Sequence, residues 1–231
     1  MDGITVLYHE DKRERFLEIA KEWEQKVGNV EMGKLEETSF ESMWQESINS
    51  YIGKKIDGKV KKKGRFATEF EINKNKSKRI ISLALENYFI KGINPVDFIP
   101  THENVFDFCI AKKAVGKMHY EEQWEENGKV LIKKHKKLVR YFISTDGNVL
   151  YKRGFNFEGK PMNNHCEAET ELGQPKVTYF NNAYTLPMKD YNIDYSYYIL
   201  EVLERIDKIE KTNKLKSYVE SLKPQKQLSL F

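Results

Sequence analysis

The chain has 231 residues, 39% hydrophobic and 32% charged, with a formal net charge of +4. That apolar fraction supplies a core for one large or two modest domains, while the weak overall field means that a polyanion must be held by local clusters. Two far-separated cysteines, Cys109 and Cys166, exclude a disulfide framework, and no apolar run reaches membrane-spanning length, so a soluble, cytoplasmic protein without membrane contact is expected.

Met1–Tyr8 reads as a strand, with Ile4, Val6 and Tyr8 alternating. Residues 9–27 turn helical: Phe16, Ile19, Ala20, Trp23 and Val27 share a face, and Gly28 is a C-terminal stop. Thr38-x-x-Glu41 reads as a capping box for a helix over 39–47. Next come two extended runs, 51–56 and 59–70, around Asp57-Gly58, a strong hairpin signal.

The second run carries K-V-K-K-K-G-R. On an extended chain alternate side chains share a face and recur every ~6.6 Å. This predicts one row of Lys59, Lys61, Lys63 and Arg65, spaced to neutralise successive phosphates. Gly64 leaves room inside the row for another backbone. The competing interpretation is a solvated edge strand guarded by lysines.

Ser77 is expected to cap a helix over 78–91 that Gly92 ends. Lys76, Lys78 and Arg79 crowd its start, where the dipole favours anions, so something negative should sit nearby. A helix is predicted over 104–113 and a charge-dense stretch containing a loop over 119–137. Strands follow at 138–144 and 149–153, around an Asp146-Gly147 turn, and at 177–184. Asp194 caps a last helix to about Leu222, with Tyr195, Ile199, Val202, Leu203, Ile206 and Ile209 as its core stripe. Pro224 stops it.

The terminal Gln227-Leu228-Ser229-Leu230-Phe231 resembles the pentapeptide by which bacterial and phage proteins bind the replisome's sliding clamp. The resemblance implies a hydrogen-bonding glutamine and a pocket filled by the leucines and phenylalanine. A bacterial-type clamp is therefore an expected partner.

A second resemblance covers most of the chain. Asp2-Gly3-Ile4-Thr5-Val6 resembles the second half of motif C of family B DNA polymerases, in the phage and mobile-element branch. Asn49-x-Tyr51-Ile52 and Asp57-Gly58-Lys59-Val60-Lys61-x-Lys63-Gly64 resemble that family's hairpin and primer-gripping lysine motif. The helix before Pro95, the Asp107-Phe108 pair, Lys137-Leu-Val-Arg140-Tyr141 and the helix after Asp194 resemble its thumb.

The resemblance implies an α+β fold: the end of a palm sheet over 1–74, a mostly helical thumb with a small β element over 75–223, and a flexible tail over 224–231. It implies primer–template DNA and a deoxynucleotide as ligands. Lys61 and Lys63 would hold the primer strand; Lys76, Lys78, Arg79, Lys137 and Arg140 would contact duplex phosphates; and Lys59, Gly64, Arg65 and Tyr141 would also lie at the DNA. Asp2 would be a catalytic carboxylate and a ligand of Mg2+. Two-metal transfer needs further carboxylates, and the family's motifs A and B and exonuclease are missing. The implied function is the C-terminal part of a split DNA-directed DNA polymerase, in a bacterial or phage-infected cell. A partner chain would supply exonuclease, fingers and the rest of the palm. The alternative is a non-catalytic DNA-binding accessory protein that tethers a polymerase or repair factor to the clamp.

Overall fold

The computed structural model describes residues 6, 8–27, 35, 37–69, 77–155, 158, 160, 176–179 and 186–222. Asp2, Lys76 and the 227–231 pentapeptide therefore lie outside the described residues. By packing, the chain divides into Met1–Phe40 and Glu41–Phe231. The second unit thus includes both sides of the boundary expected at 74/75.

In the first unit a single 3-10 turn, Glu10–Lys12, leads into α1, Arg13–Val27, as the apolar period predicts. Tyr8 stacks on Phe16 at 5.0 Å. Arg13 pairs with Glu37 at 3.3 Å, and the Glu24 carboxylate accepts the Leu35 N–H at 2.7 Å.

The helix expected over 39–47 does not form. The stretch given a capping box is a strand, β1, Phe40–Ser47. A tight turn at Ile48-Asn49 folds it onto β2, Ser50–Lys55, and Trp44 packs 5.3 Å from Phe89. The ladder and that ring contact override a local cap signal of modest strength. The Asp57-Gly58 hairpin forms as expected. Gly58 has φ +79°, and β3, Val60–Lys63, pairs antiparallel to β2 with Tyr51 opposite Lys63. The strand is shorter than predicted: Gly64, at φ +63°, turns the chain into a 3-10 helix, Gly64–Phe66, that buries Phe66.

Helix α2, Arg79–Lys91, ends on Gly92 at φ +68°, whose N–H bonds Tyr88 O while the Ile93 N–H bonds Asn87 O. Its start differs from expectation. The residue at the cap is Lys78, left-handed at φ +51°, and Ser77 instead accepts the Ala111 N–H at 3.0 Å. The expected 104–113 helix is cut short. After α3, Pro95–Phe98, a single turn α4, Val105–Phe108, gives way to β4, Ile110–Lys113.

The charge-dense stretch is a hairpin. β5, His119–Glu126, and β6, Lys129–Lys134, join through Asn127-Gly128, both at positive φ as such a turn requires. Glu121, Glu122 and Glu126 stand opposite Lys134, Lys133 and Lys129, so the charge density is a cross-strand ladder.

The two strands expected around Asp146-Gly147 are one, β7, Leu138–Arg153, with a register irregularity between Ile143 and Asn148. The sheet runs β4-β7-β5-β6, with β8, Val177–Tyr179, also on β7. α5, Tyr195–Leu222, starts where Asp194 accepts the Tyr197 N–H at 3.2 Å. Val202, Ile206 and Ile209 face inward, but Leu203 is 39% exposed, and Tyr198 takes a central place. Its hydroxyl donates to Phe108 O at 2.9 Å and accepts from Ile143 N at 3.0 Å, tying helix, α4 and β7 together.

The fold is mixed α+β, with one core running from Ile52 and Phe66 through α2 and β7 to α5. No helix among the described residues is long and apolar enough to cross a membrane.

Candidate nucleic-acid interface

The β2–β3 hairpin sorts its cations by strand alternation. Lys61 and Lys63 point outward and are exposed. Among the described residues neither ammonium makes a hydrogen bond or an ion pair. Lys62, between them, points the other way. Its Nζ lies 2.9 Å from Glu86 and 2.5 Å from Thr68 Oγ1, with its side chain 18% exposed. An ammonium so placed joins β3 to α2 and leaves the outer face to its neighbours.

The predicted row of four does not continue at either end. Lys59 lies in the turn, beside Asp57 at 3.6 Å. Its own N–H donates to the Asp57 carboxylate, and this bond, ahead of the nearby lysine charges, holds that carboxyl below its ordinary value. Arg65 has left the strand for the 3-10 turn. Its guanidinium meets Glu46 at 3.1 Å, its N–H donates to Ser50 Oγ at 3.3 Å, and its carbonyl accepts from Ser82 Oγ at 2.5 Å.

Gly64 does leave room for a close backbone, as expected. The backbone that comes close is the chain's own. A Cβ here would strike the Asn49 carbonyl oxygen and sit 3.0 Å from Ser50 Cα. The glycine seats the β1–β2 turn against the end of β3.

The start of α2 answers the question its sequence raised. Anions do sit beside Lys78 and Arg79, and both belong to this chain. Lys78 Nζ lies 2.7 Å from Glu201 and 5.6 Å from the centre of the Tyr197 ring. Its N–H donates to Cys109 O at 2.8 Å. Arg79 meets Asp107 at 2.9 Å and Thr68 O at 2.7 Å, and the second Asp107 oxygen lies 2.7 Å from His102 Nε2. Burial works to raise the Asp107 carboxyl, but its bonds to His102 and Arg79 prevail and hold it below the ordinary range. Burial also pushes the neighbouring Cys109 thiol up to about 12.

Of the remaining residues expected at DNA, Lys137 is exposed and donates to Gly116 O at 2.9 Å. Arg140 lies over the Phe106 ring at 5.4 Å. Tyr141 is 0% exposed, a core side chain on the inner face of β7. A phosphate outside cannot reach it. The resemblance that pointed to Tyr141 could not tell which face of the strand it takes, and that waits on the register of β7.

Three groups were missed: Glu46, Glu201 and Arg205. Arg205 lies 3.5 Å from Glu46 and 2.7 Å from Glu201. Together with Arg65 and Lys78 they form an alternating line of charges from hairpin to helix start. The Glu201–Arg205 pair, four apart on one helix face, was legible. Glu46 was not, since its stretch read as a helix.

Among the described residues no three His, Cys, Asp or Glu side chains could hold a metal ion. The described part of the chain therefore does not fit the implied magnesium pair by itself. No family model, curated protein or solved structure matches this chain.

Proposed function

We propose that this chain grips primer–template DNA as the C-terminal, palm-end and thumb part of a split DNA-directed DNA polymerase. The observation that supports this best is the outward pair Lys61 and Lys63 on a braced hairpin. Two uncompensated ammoniums about 6.6 Å apart on a strand match adjacent phosphates. Contacts to phosphate position a duplex without reading its sequence, which template-directed synthesis requires. Rigidity matters as much as charge, because catalysis by positioning tolerates little looseness. Lys62–Glu86 behind the strand and Gly64 at its end supply that rigidity.

In this proposal Asp2 is the one carboxylate the chain contributes to a magnesium pair, and a partner chain contributes the rest. The 227–231 pentapeptide binds a sliding clamp. Co-purification from the native source, followed by primer extension with and without the partner, tests it. Extension should require both chains, and Asp2→Ala should abolish it. If the complex extends primers equally well with Asp2→Ala, the chain is instead a DNA-binding accessory that tethers another factor to the clamp. Removing residues 227–231 should end capture by a bacterial clamp without lowering Tm.

A further inference from the structure

We infer that Glu46 withholds Arg65 from DNA, so that the hairpin neutralises two consecutive phosphates and not the four its sequence offers. This rests on the DNA-binding proposal above and goes further by assigning Glu46 a positioning role.

Two independent observations support it. First, the backbone turns away. Gly64 at φ +63° ends β3 at Lys63, and Arg65 starts from a 3-10 turn fixed by Ser50 and Ser82. The turn brings its still-exposed side chain to Glu46, at the edge of the row and not in line with it. Second, its charge is already matched. The Glu46 side chain is 10% exposed, and one of its oxygens takes Arg65 at 3.1 Å while Arg205 lies 3.5 Å from the same oxygen. The other oxygen accepts from Ser50 Oγ at 3.2 Å. A carboxylate that is largely out of water is screened little by salt. A phosphate competing for Arg65 must pull it from that carboxylate. It must also leave Glu46 to Arg205, whose own NH2 is already committed to Glu201 at 2.7 Å. At the other end of the row Lys59 shares its charge with Asp57, leaving Lys61 and Lys63.

The readout is the salt dependence of DNA affinity, which counts phosphates neutralised and is insensitive to a purely structural role. Each phosphate contributes about 0.9 to the slope of log affinity against log salt, or about 3.5-fold between 50 and 200 mM. The full chain is titrated with a primer–template duplex across that range. Lys61→Ala and Lys63→Ala should each lower the slope by about 0.9. Arg65→Ala should leave it unchanged. Glu46→Gln should raise it by about 0.9, and adding Arg65→Ala should remove that gain. A slope that falls with Arg65→Ala alone overturns the inference, and since Arg65 is an exposed side chain, that variant is the one to trust if Glu46→Gln fails to fold. A slope unmoved by Glu46→Gln in a folded chain also overturns it. Absence of salt-sensitive binding in the unaltered chain overturns the DNA-binding proposal itself, a distinguishable outcome.

Discussion

Lys61 and Lys63 on β3 and Lys78 and Arg79 at the start of α2 come from about equally basic stretches of sequence, yet tertiary structure treats the two pairs oppositely. On β3, alternation sends Lys61 and Lys63 outward with no partner among the described residues. At the start of α2, Lys78 and Arg79 turn inward onto Glu201 and Asp107. The difference comes from the backbone. A strand covered on one face only, as β3 is, presents every second side chain to water. A helix start packed against α5 and α4 presents its cations to whatever those elements carry. Charge counted along a chain is therefore not charge available to a ligand.

The sharpest way to break this comparison is to remove an internal anion. Asp107→Asn leaves Arg79 and His102 without their shared carboxylate, and breaking a mostly buried pair costs about 3 kcal/mol. Tm should fall clearly, with DNA affinity at fixed salt changing little if Arg79 is structural. The pH dependence has a definite sign. Because the folded-state carboxyl lies below its ordinary value of 3.8, its stabilisation is present above that pH and is lost as pH falls through the folded value. The variant's acid unfolding should be correspondingly shallower. A stable variant with tighter, more salt-sensitive DNA binding would mean that Arg79 reaches the ligand once Asp107 no longer holds it.

Gly64→Ala should come next, at about 2 kcal/mol, because it adds a left-handed strain to a collision with the β1–β2 turn. Urea unfolding would measure it; a neutral result would mean that the turn yields easily and the hairpin is not braced from that side. Tyr198→Phe perturbs the core behind α2 without touching charge. It strips a buried N–H and a buried C=O of their partner, and a loss of about 1–2 kcal/mol is expected. In the same corner Cys109, buried and with its thiol raised to about 12, should resist alkylation until the protein unfolds, measured with Cys166 replaced by serine. The smallest effect on stability belongs to Lys61→Ala and Lys63→Ala, within about 0.5 kcal/mol. Those two are the ones expected to weaken DNA binding most, which is the comparison in its simplest form.

Local chemistry was enough at three places where the signal and the contact lie within a few residues. Asp57-Gly58 specified its hairpin, Gly92 its helix stop and Asp194 its helix start, because the backbone groups each serves are next to it in the chain. Asn127-Gly128 carries the same kind of signal for β5–β6, set among many charges. What sequence could not decide are the pairings across long separations. Phe40–Ser47 became a strand because β2 and Phe89 were there to receive it. Ser77 left its helix to hold β4, and Tyr141 went to the core because the register of β7 put it there. The partners of Arg65, Lys78 and Arg79 lie 19, 123 and 28 residues away. A Coulomb interaction acts on distance in space, and only folding sets that distance.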